Sequence, residues 1–330
     1  MKQIIVRKVG GMAMERIRIG VAGIGNMGMN HCRVLALMNQ VHFVGVFDTD
    51  AVRLEQIVDQ YHVQSFGSYE EMLKHTDAVV IAVPTSYHYE YARHAIEMGK
   101  HVLIEKPMTL TLEQAHQLVQ LSEDYPNVRV QVGHIEQFNP VIEAMREVVT
   151  SGQIVYIETR RLGTPQVNSD TDVILDLMIH DIDIVLHLVR SPLKSIQATG
   201  TGMDHRGRLE AAAALLTFES GVFAVLAANR IAQEKVRTLS ITEFNRYIHA
   251  NYLARELSVY KKISTSLHAK SAYRQESVVE KMWVPSQEPL RAELEHFVLC
   301  IGQNQKPKIG VMEGMQAMEL AYRIQSVIQN

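Results

Sequence analysis

Between residues 17 and 140, short apolar runs alternate with segments whose apolar positions recur every three or four residues. The runs predict strands over 17–22, 41–48, 78–83, 101–105 and 128–133. The periodic segments predict helices over 27–38, 51–61, 69–74, 87–98 and 111–124. Ala78, Val79, Val80, Ile81, Ala82 and Val83 leave neither face polar, as a parallel strand covered by helices on both sides requires. Thr111, followed by Glu113 and Gln114, opens the last helix as its cap, and Gly99 stands where a left-handed residue closes the helix before it. This half reads as a doubly wound α/β domain with a parallel sheet.

After Pro140 the rhythm changes. A helix over 140–151 leads to a strand over 153–161, and beyond a loop a long apolar helix covers 171–189. Strands over 193–201, 209–218, 221–230, 236–242, 247–250, 257–260 and 277–283 then follow without intervening helices. Glu219-Ser220-Gly221 marks a tight hairpin between two of them. That succession predicts a second, α+β domain with an open, mostly antiparallel sheet. Helices over 288–303 and 311–328 finish the chain and are free to pack back on the first domain. The expected division is 17–140 and 141–330, after an extension over 1–16 to which we assign no function.

The first chemistry lies at the end of the first strand. Gly23-Ile24-Gly25-Asn26-Met27-Gly28 follows it directly and opens a helix, the order a dinucleotide needs. Gly23 permits the tight turn, Gly25 lets the backbone approach a pyrophosphate, and Gly28 lets the helix pack near the strand. The helix N-terminus favours the anion. Asp48, 20 residues after Gly28, ends the next strand, where a carboxylate can accept both ribose hydroxyls of an adenosine. Asp48 favours NAD, whereas Arg53 nearby leaves NADP open.

Two further strand ends face the same edge. Val83-Pro84-Thr85 closes one, with His88 a helical turn further on, and Glu105-Lys106-Pro107 closes the next. Ligands of doubly wound sheets sit beyond such carboxyl ends, so the cofactor is expected to meet Val83, Thr85, His88, Glu105 and Lys106 as well as the glycine turn. A lysine there can donate to a substrate oxygen. The alternatives are a surface His88 at a helix start and a Lys106 paired with Glu105.

On the long helix Asp176, His180, Asp183 and His187 fall on one stripe, while the rest is almost wholly apolar. A buried helix does not carry such a stripe without partners. Three readings compete: a metal site, a polar seam satisfied by neighbours, and a catalytic histidine oriented by an acid. Metal has the least behind it, since no further ligand motif appears. We read Asp176 and His180 as catalytic, and Asp183 and His187 as structural.

Composition narrows the classes. At 330 residues the chain is long enough for two domains, and 47% hydrophobic with 21% charged residues is ordinary for a soluble globular protein. A net charge of −3 supplies no basic field for nucleic acid or anionic membrane. Cys32 and Cys300 lie far apart without metal or redox spacing and read as reduced thiols of a cytoplasmic protein. No apolar stretch reaches the ~18 residues of a membrane span.

The glycine turn, Asp48, Pro84-Thr85 with His88, Gly99-Lys100-His101-Val102, Glu105-Lys106-Pro107 and Asp176-x-x-x-His180 together resemble the Gfo/Idh/MocA oxidoreductases, over nearly the whole chain from Ile17. The resemblance implies a Rossmann domain, an open-sheet second domain, an oligomer, and action on sugars or cyclitols; the hairpin of 209–216 and 222–228, apolar on both faces, itself predicts a homodimer or homotetramer built through the second sheet. It gives Lys106, Asp176 and His180 the family's catalytic roles. Gly133-His134-Ile135-Glu136-Gln137-Phe138-Asn139-Pro140 and 176–183 are similar to nucleotide-sugar dehydrogenases of the UDP-N-acetylglucosamine 3-dehydrogenase kind, which commonly carry Arg in place of Gln137. The expected reaction is NAD-dependent oxidation of a sugar secondary alcohol, with His180, held in one tautomer by Asp176, as base and Lys106 on the substrate oxygen. Lys106, Asn139, Arg161, Asp176 and His180 are the expected substrate contacts. A free-sugar or inositol dehydrogenase is the alternative among enzymes, and a non-catalytic dinucleotide sensor the alternative outside them.

Overall fold

Parallel strands covered on both faces must be joined by helices that cross over them, and the first half of the chain follows this rule. The computed structural model describes residues 16–150, 152–165, 171–202, 207–263 and 276–329. All but the last residue of the N-terminal extension, and residues 166–170 of the loop before the long helix, lie outside the described residues. The first sheet contains β1 (Ile17–Ala22), β2 (Val41–Phe47), β3 (Gln64–Ser65), β4 (Ala78–Ile81), β5 (His101–Glu105) and β6 (Val130–Gly133). Their order is β3-β2-β1-β4-β5-β6, and every pair is parallel. The sequence reverses direction between β1 and β4, the switch point at which such sheets bind their ligands.

Helices α1 (Asn26–Ala36), α2 (Ala51–Tyr61), α3 (Tyr69–His75), α4 (Thr85–Glu97) and α5 (Leu112–Asp124) make the crossovers. Local chemistry starts them: the side chains of Asp50, Ser68 and Thr111 accept backbone N–H groups at the starts of α2, α3 and α5. Strand β3 escapes sequence reading because it is two exposed residues at the sheet edge. Strand β4 ends at Ile81 and α4 begins at Thr85, so Val83 and Pro84 form the connection rather than a strand end.

The second sheet contains β7 (Ile154–Leu162), β8 (Leu193–Thr201), β9 (Ala211–Phe218), β10 (Phe223–Asn229), β11 (Val236–Glu243), β12 (Arg246–Asn251), β13 (Glu256–Ile263) and β14 (Glu276–Met282). The order is β14-β13-β12-β11-β7-β10-β9-β8. Only β7 and β10 pair in parallel; the other described pairs are antiparallel. Gly221, at φ +86°, makes the hairpin between β9 and β10. Helix α6 (Pro140–Val148) leads into this sheet, and α7 (Ile179–Val189) packs on its inner face after a wider π turn over Ile174–Met178. The expected single helix is therefore interrupted just where the polar stripe begins.

Two C-terminal helices tie the sheets together. From α8 (Pro289–Gly302), Leu290, Leu294 and Phe297 bury against Ile19, Val80 and Leu103 of the first sheet. Helix α9 (Val311–Gln329) packs on α5, α7 and β8 and so touches both halves. One buried cluster runs from Val102 and Ile104 through Met318 and Ile182 to Leu226 and Leu239. The strand ends of the first sheet are thereby fixed against α7.

Candidate active site

The glycine turn is built to leave an anion-sized space. Gly23 has φ +84°, and a Cβ there would lie 2.5 Å from the Val83 nitrogen, so only glycine fits. A Cβ on Gly28 would overlap the Gly23 carbonyl oxygen, whereas one on Gly25 would meet nothing within 4 Å. Gly25 caps α1 without a side-chain hydrogen bond, and no acidic residue stands in its first turn. The orphan N–H groups of α1 are thus left for an incoming acceptor. Asp48 Oδ2 accepts from the Ile24 N–H at 2.6 Å and Oδ1 from the Asp50 N–H at 2.8 Å, which fixes the carboxylate beside the turn.

A cleft of about 590 Å³ collects Gly23, Gly25, Asn26, Met27, Asp48, Val83, Thr85, His88, Glu105 and Lys106. These residues suit a dinucleotide: a helix N-terminus for the pyrophosphate and a carboxylate for a ribose. Ile24 and Gly28 do not line it, being buried beneath the turn. The cleft also takes in Thr49, Asp50, Arg53, Ala82 and Pro84. Arg53 Nε lies 3.2 Å from Asp50 Oδ2. His88 is buried, and its ring nitrogens meet the carbonyls of Pro107 at 2.8 Å and Val83 at 2.9 Å. It pins two loops of the cleft wall together. Glu105 meets His31 Nε2 at 2.7 Å; burial pushes its carboxyl up, but His31, Lys106 and His88 together hold it below the ordinary value.

Lys106 leaves this cleft toward the second half. Its Nζ donates to the Asp176 backbone carbonyl at 2.6 Å and to Asp176 Oδ1 at 3.1 Å. Asp176 sits in the π turn, a distortion that often marks functional sites. Its other oxygen, Oδ2, lies 3.8 Å from Arg230. Arg230, 2% exposed, is itself held by Glu210 at 2.7 and 3.1 Å and donates to the Thr171 carbonyl. Nothing local in the sequence points to Glu210 and Arg230, yet a hairpin turning at 219–221 puts position 210 opposite 230. That signal was available.

His180 is buried, and its Nδ1 makes no hydrogen bond among the described residues. The expectation that Asp176 fixes its tautomer is therefore corrected: Asp176 is turned to Lys106 and Arg230. Burial first, then the positive charges of Lys106 and Arg161, hold the imidazole well below its ordinary pKa and keep it neutral. Asp183 and His187 do form a seam. The Gln137 amide donates to Asp183 Oδ2 and meets His187 Nδ1 at 3.1 Å, while Arg146 donates to the Gln137 side-chain oxygen.

Two expected substrate contacts are occupied internally. Arg161, 1% exposed, makes a bidentate pair with Asp181 at 3.0 and 2.9 Å and donates to Glu136 at 2.8 Å. Asn139 donates to Glu136 at 2.8 Å and caps α6 through Val141. Neither side chain is free to face a substrate, so both are corrected to framework residues. Arg237, opposite Arg161 on β11, reaches Glu136 at 3.4 Å and stays partly exposed. Burial raises Glu136, but Arg161, Asn139 and Arg237 together hold it below the ordinary value.

Residues 17–134 match a family model described as an oxidoreductase family with an NAD-binding Rossmann fold, and 143–242 match a GFO/IDH/MocA C-terminal domain. The chain is 31% identical over 317 residues to a UDP-N-acetylglucosamine 3-dehydrogenase of Acidithiobacillus ferrooxidans, covering 96% of this chain and 98% of the relative. A solved structure of a protein of that name and organism superposes with a TM-score of 0.86 at 29% identity, covering 96% of this chain and 99% of that one. A scyllo-inositol 2-dehydrogenase (NAD(+)) of Bacillus subtilis is 24% identical, covering 96% of this chain and 95% of the relative.

Two outcomes follow from this geometry. Asp48→Ala removes the acceptor beside the turn, so titration calorimetry should record a larger loss of affinity for NAD than for NADP; an unchanged NAD affinity and ratio would remove Asp48 from the ribose site. Glu136→Gln leaves Arg161 short of a buried partner and should cost about 3 kcal/mol at neutral pH. Because the native Glu136 pKa is depressed, its contribution is present above the unfolded value and is lost as pH falls through the native one. Thermal melts of the two proteins should therefore converge in acid, and a gap that persists there would contradict the ionised pair.

Proposed function

The chain belongs to the Gfo/Idh/MocA oxidoreductase family, and we propose that it converts a secondary alcohol of a nucleotide sugar, of the UDP-N-acetylglucosamine type, to a ketone, or runs the reverse reduction. One observation carries the chemistry: Lys106, at the nicotinamide end of the cleft, is held by Asp176 one helical turn before His180. The sugar-nucleotide assignment rests on the similarity to a UDP-N-acetylglucosamine 3-dehydrogenase along almost the full length of both chains.

Bound NAD supplies the acceptor for the carbinol hydride. The chain's own groups do the rest. Neutral His180 accepts the hydroxyl proton, the form burial favours. Lys106 donates to the substrate oxygen and favours the negative charge that develops on it. Asp176 keeps the ammonium aimed, and Arg230 with Glu210 keeps Asp176 in place. Asp48 receives the adenosine ribose and disfavours a 2′-phosphate, while Asp50 draws Arg53 aside. In this reading residues 17–140 serve the cofactor, and 141–330 serve the substrate and assembly.

The outer face of the second sheet supports an oligomer. Ala211, Ala213 and Leu215 of β9 and Phe223, Val225 and Ala227 of β10 stand partly exposed on it. This strip of the outer face is apolar, between Glu158 and Arg160 of β7 on one side and Gln197 and Thr199 of β8 on the other, and monomers seldom leave such a strip in water. A second copy of the same sheet, about 10 Å away, would bury it with two-fold symmetry. We read the protein as a cytoplasmic homodimer or homotetramer with its cofactor domains outermost. No helix among the described residues is long and apolar enough to cross a membrane.

NAD reduction across a panel of UDP-sugars, free sugars and inositols tests the reading. A UDP-sugar should be turned over; inositol alone would favour the cyclitol alternative, and no turnover with retained NAD binding would favour a sensor. Lys106→Ala and His180→Ala should each cut turnover by on the order of 10²–10⁴ while NAD binding persists. Full activity in either variant would sink the assignment. Light scattering should find a dimer or tetramer that Ala213→Glu disperses; a wild-type monomer at micromolar concentration would reject the sheet contact.

A further inference from the structure

A guanidinium stays charged wherever it is placed, so an arginine is seldom buried without a carboxylate beside it. Arg129 is such a case. It directly precedes β6 and is 8% exposed. Its backbone N–H donates to His101 Nδ1 at 2.9 Å, and its carbonyl accepts the Val102 N–H at 2.8 Å, so the side chain starts from a fixed point. Nη2 donates to the Pro126 carbonyl. Nε is buried without a hydrogen bond, and no carboxylate pairs with the guanidinium among the described residues. Two titratable groups that feel its charge supply no anion: burial keeps His101 neutral and Cys300 a thiol. A buried cation in this state is costly enough to require a reason.

The side chain lines a cavity of about 320 Å³, whose other walls are the end of α5, the approach to α9 and the first turn of α9. Lys306 lines it as well. Gly310 directly precedes α9 and brings no side chain to cap it, and Glu313 turns its Oε2 to the Gly310 N–H at 2.9 Å. The N–H groups of Val311 and Met312 are thus left for another acceptor. The second acid in the wall, Glu123, is exposed and does not pair with Arg129. The cavity is separate from the cofactor cleft. Strands β5 and β6 are parallel; Arg129 stands before the start of β6, whereas Lys106 follows the end of β5, on the opposite edge of the sheet.

We propose that this cavity is a second ligand site, which takes a phosphate ester with a compact apolar body. Donors from three parts of the chain line it: the Arg129 guanidinium, the Lys306 ammonium and the positive end of α9. A phosphate offers an oxygen to each. Val119, Val128, Val130 and Val311 supply an apolar wall for the remainder of the ligand. At about 320 Å³ the space is at the small end of ligand pockets, roughly 300–1,000 Å³, and suits a ring or a short chain beside the head group. The bound anion supplies the partner that Arg129 lacks. It also joins α5, β6 and α9, and α9 in turn packs on α7 of the second half. The site stands apart from the reaction and does not depend on which sugar is turned over.

The test uses the full chain saturated with NADH, which fills the pyrophosphate site, and phenyl phosphate as the probe. Titration calorimetry should find one further site per chain. Inorganic phosphate should compete for it and phenol should not, which separates the head group from the body. Arg129→Gln removes the buried charge and should weaken the probe about tenfold or more. Lys306→Glu changes an exposed side chain and should weaken it about threefold with the melting temperature unchanged. Crystals soaked in tungstate should show its anomalous peak between Arg129 and the start of α9. Absence of a second site in the NADH-loaded protein, equal affinity in both variants, or tungstate at the glycine turn alone overturns the proposal. Should Arg129→Gln fold poorly, Lys306→Glu and the tungstate position decide the matter.

Discussion

The pair of Lys106 and Asp176 is the constraint on which the site and the relative placement of the two sheets both depend. Both side chains are mostly shielded from water, at 18% and 15% exposure, so each leaves the other without a close partner if they are separated. The pairing extends as an alternation of sign, from Lys106 through Asp176 and Arg230 to Glu210. Lys106 directly follows β5, Asp176 lies in the π turn, Arg230 directly follows β10 and Glu210 directly precedes β9. Displacing one sheet against the other would separate charges inside a poorly solvated cleft. The electrostatic penalty for that, several kcal/mol per ion, helps α8 and α9 hold the two sheets in register. The contact that links the two sheets is also the one that aims the lysine.

Most of the fold was legible because burial on both faces and burial on one face leave different marks. Strands such as β4 are apolar throughout, which only a helix-covered parallel sheet explains. Strands β9 and β10 are apolar too, but the turn at Gly221 pairs them as a hairpin, and only one of their faces is covered. The π turn was not legible. Widening a helix by one residue leaves the apolar pattern of 171–189 almost unchanged, so the four polar residues read as one stripe on a regular helix. The widened turn instead sends Asp176 to Lys106, while Asp183 meets Gln137. Strand β3, with two exposed residues, offers no pattern at all.

The site was legible where chemistry is local and opaque where it is tertiary. The glycine turn, Asp48 and the Glu105-Lys106 strand end each announce themselves within a few residues, and the cleft gathers them. Arg161 and Asn139 illustrate the opposite case. An arginine on a strand end could face a ligand or a carboxylate, and only the fold reveals Asp181 and Glu136 around it. The same holds for His88, whose nitrogens are taken by two loop carbonyls. Residues that look available in sequence become framework when buried charges nearby must be neutralised. Arg237, partly exposed on the same network, is the member that keeps contact with solvent.

The cofactor cleft has to satisfy two opposed electrostatic demands within one loop. A pyrophosphate calls for unpaired N–H groups, and an adenosine ribose calls for an acceptor. The chain separates them in space. The start of α1 carries neither a capping side chain nor an acid in its first turn, so its positive end is left open. The acceptor is supplied from β2 instead, and Asp48 is locked by the N–H groups of Ile24 and Asp50 before any ligand arrives. A carboxylate fixed in this way cannot swing aside for a 2′-phosphate. Arg53, a nearby cation able to welcome that phosphate, is instead drawn to Asp50, which also caps α2. The preference proposed for the unphosphorylated dinucleotide thus rests on the backbone contacts of the turn as much as on the charge of Asp48.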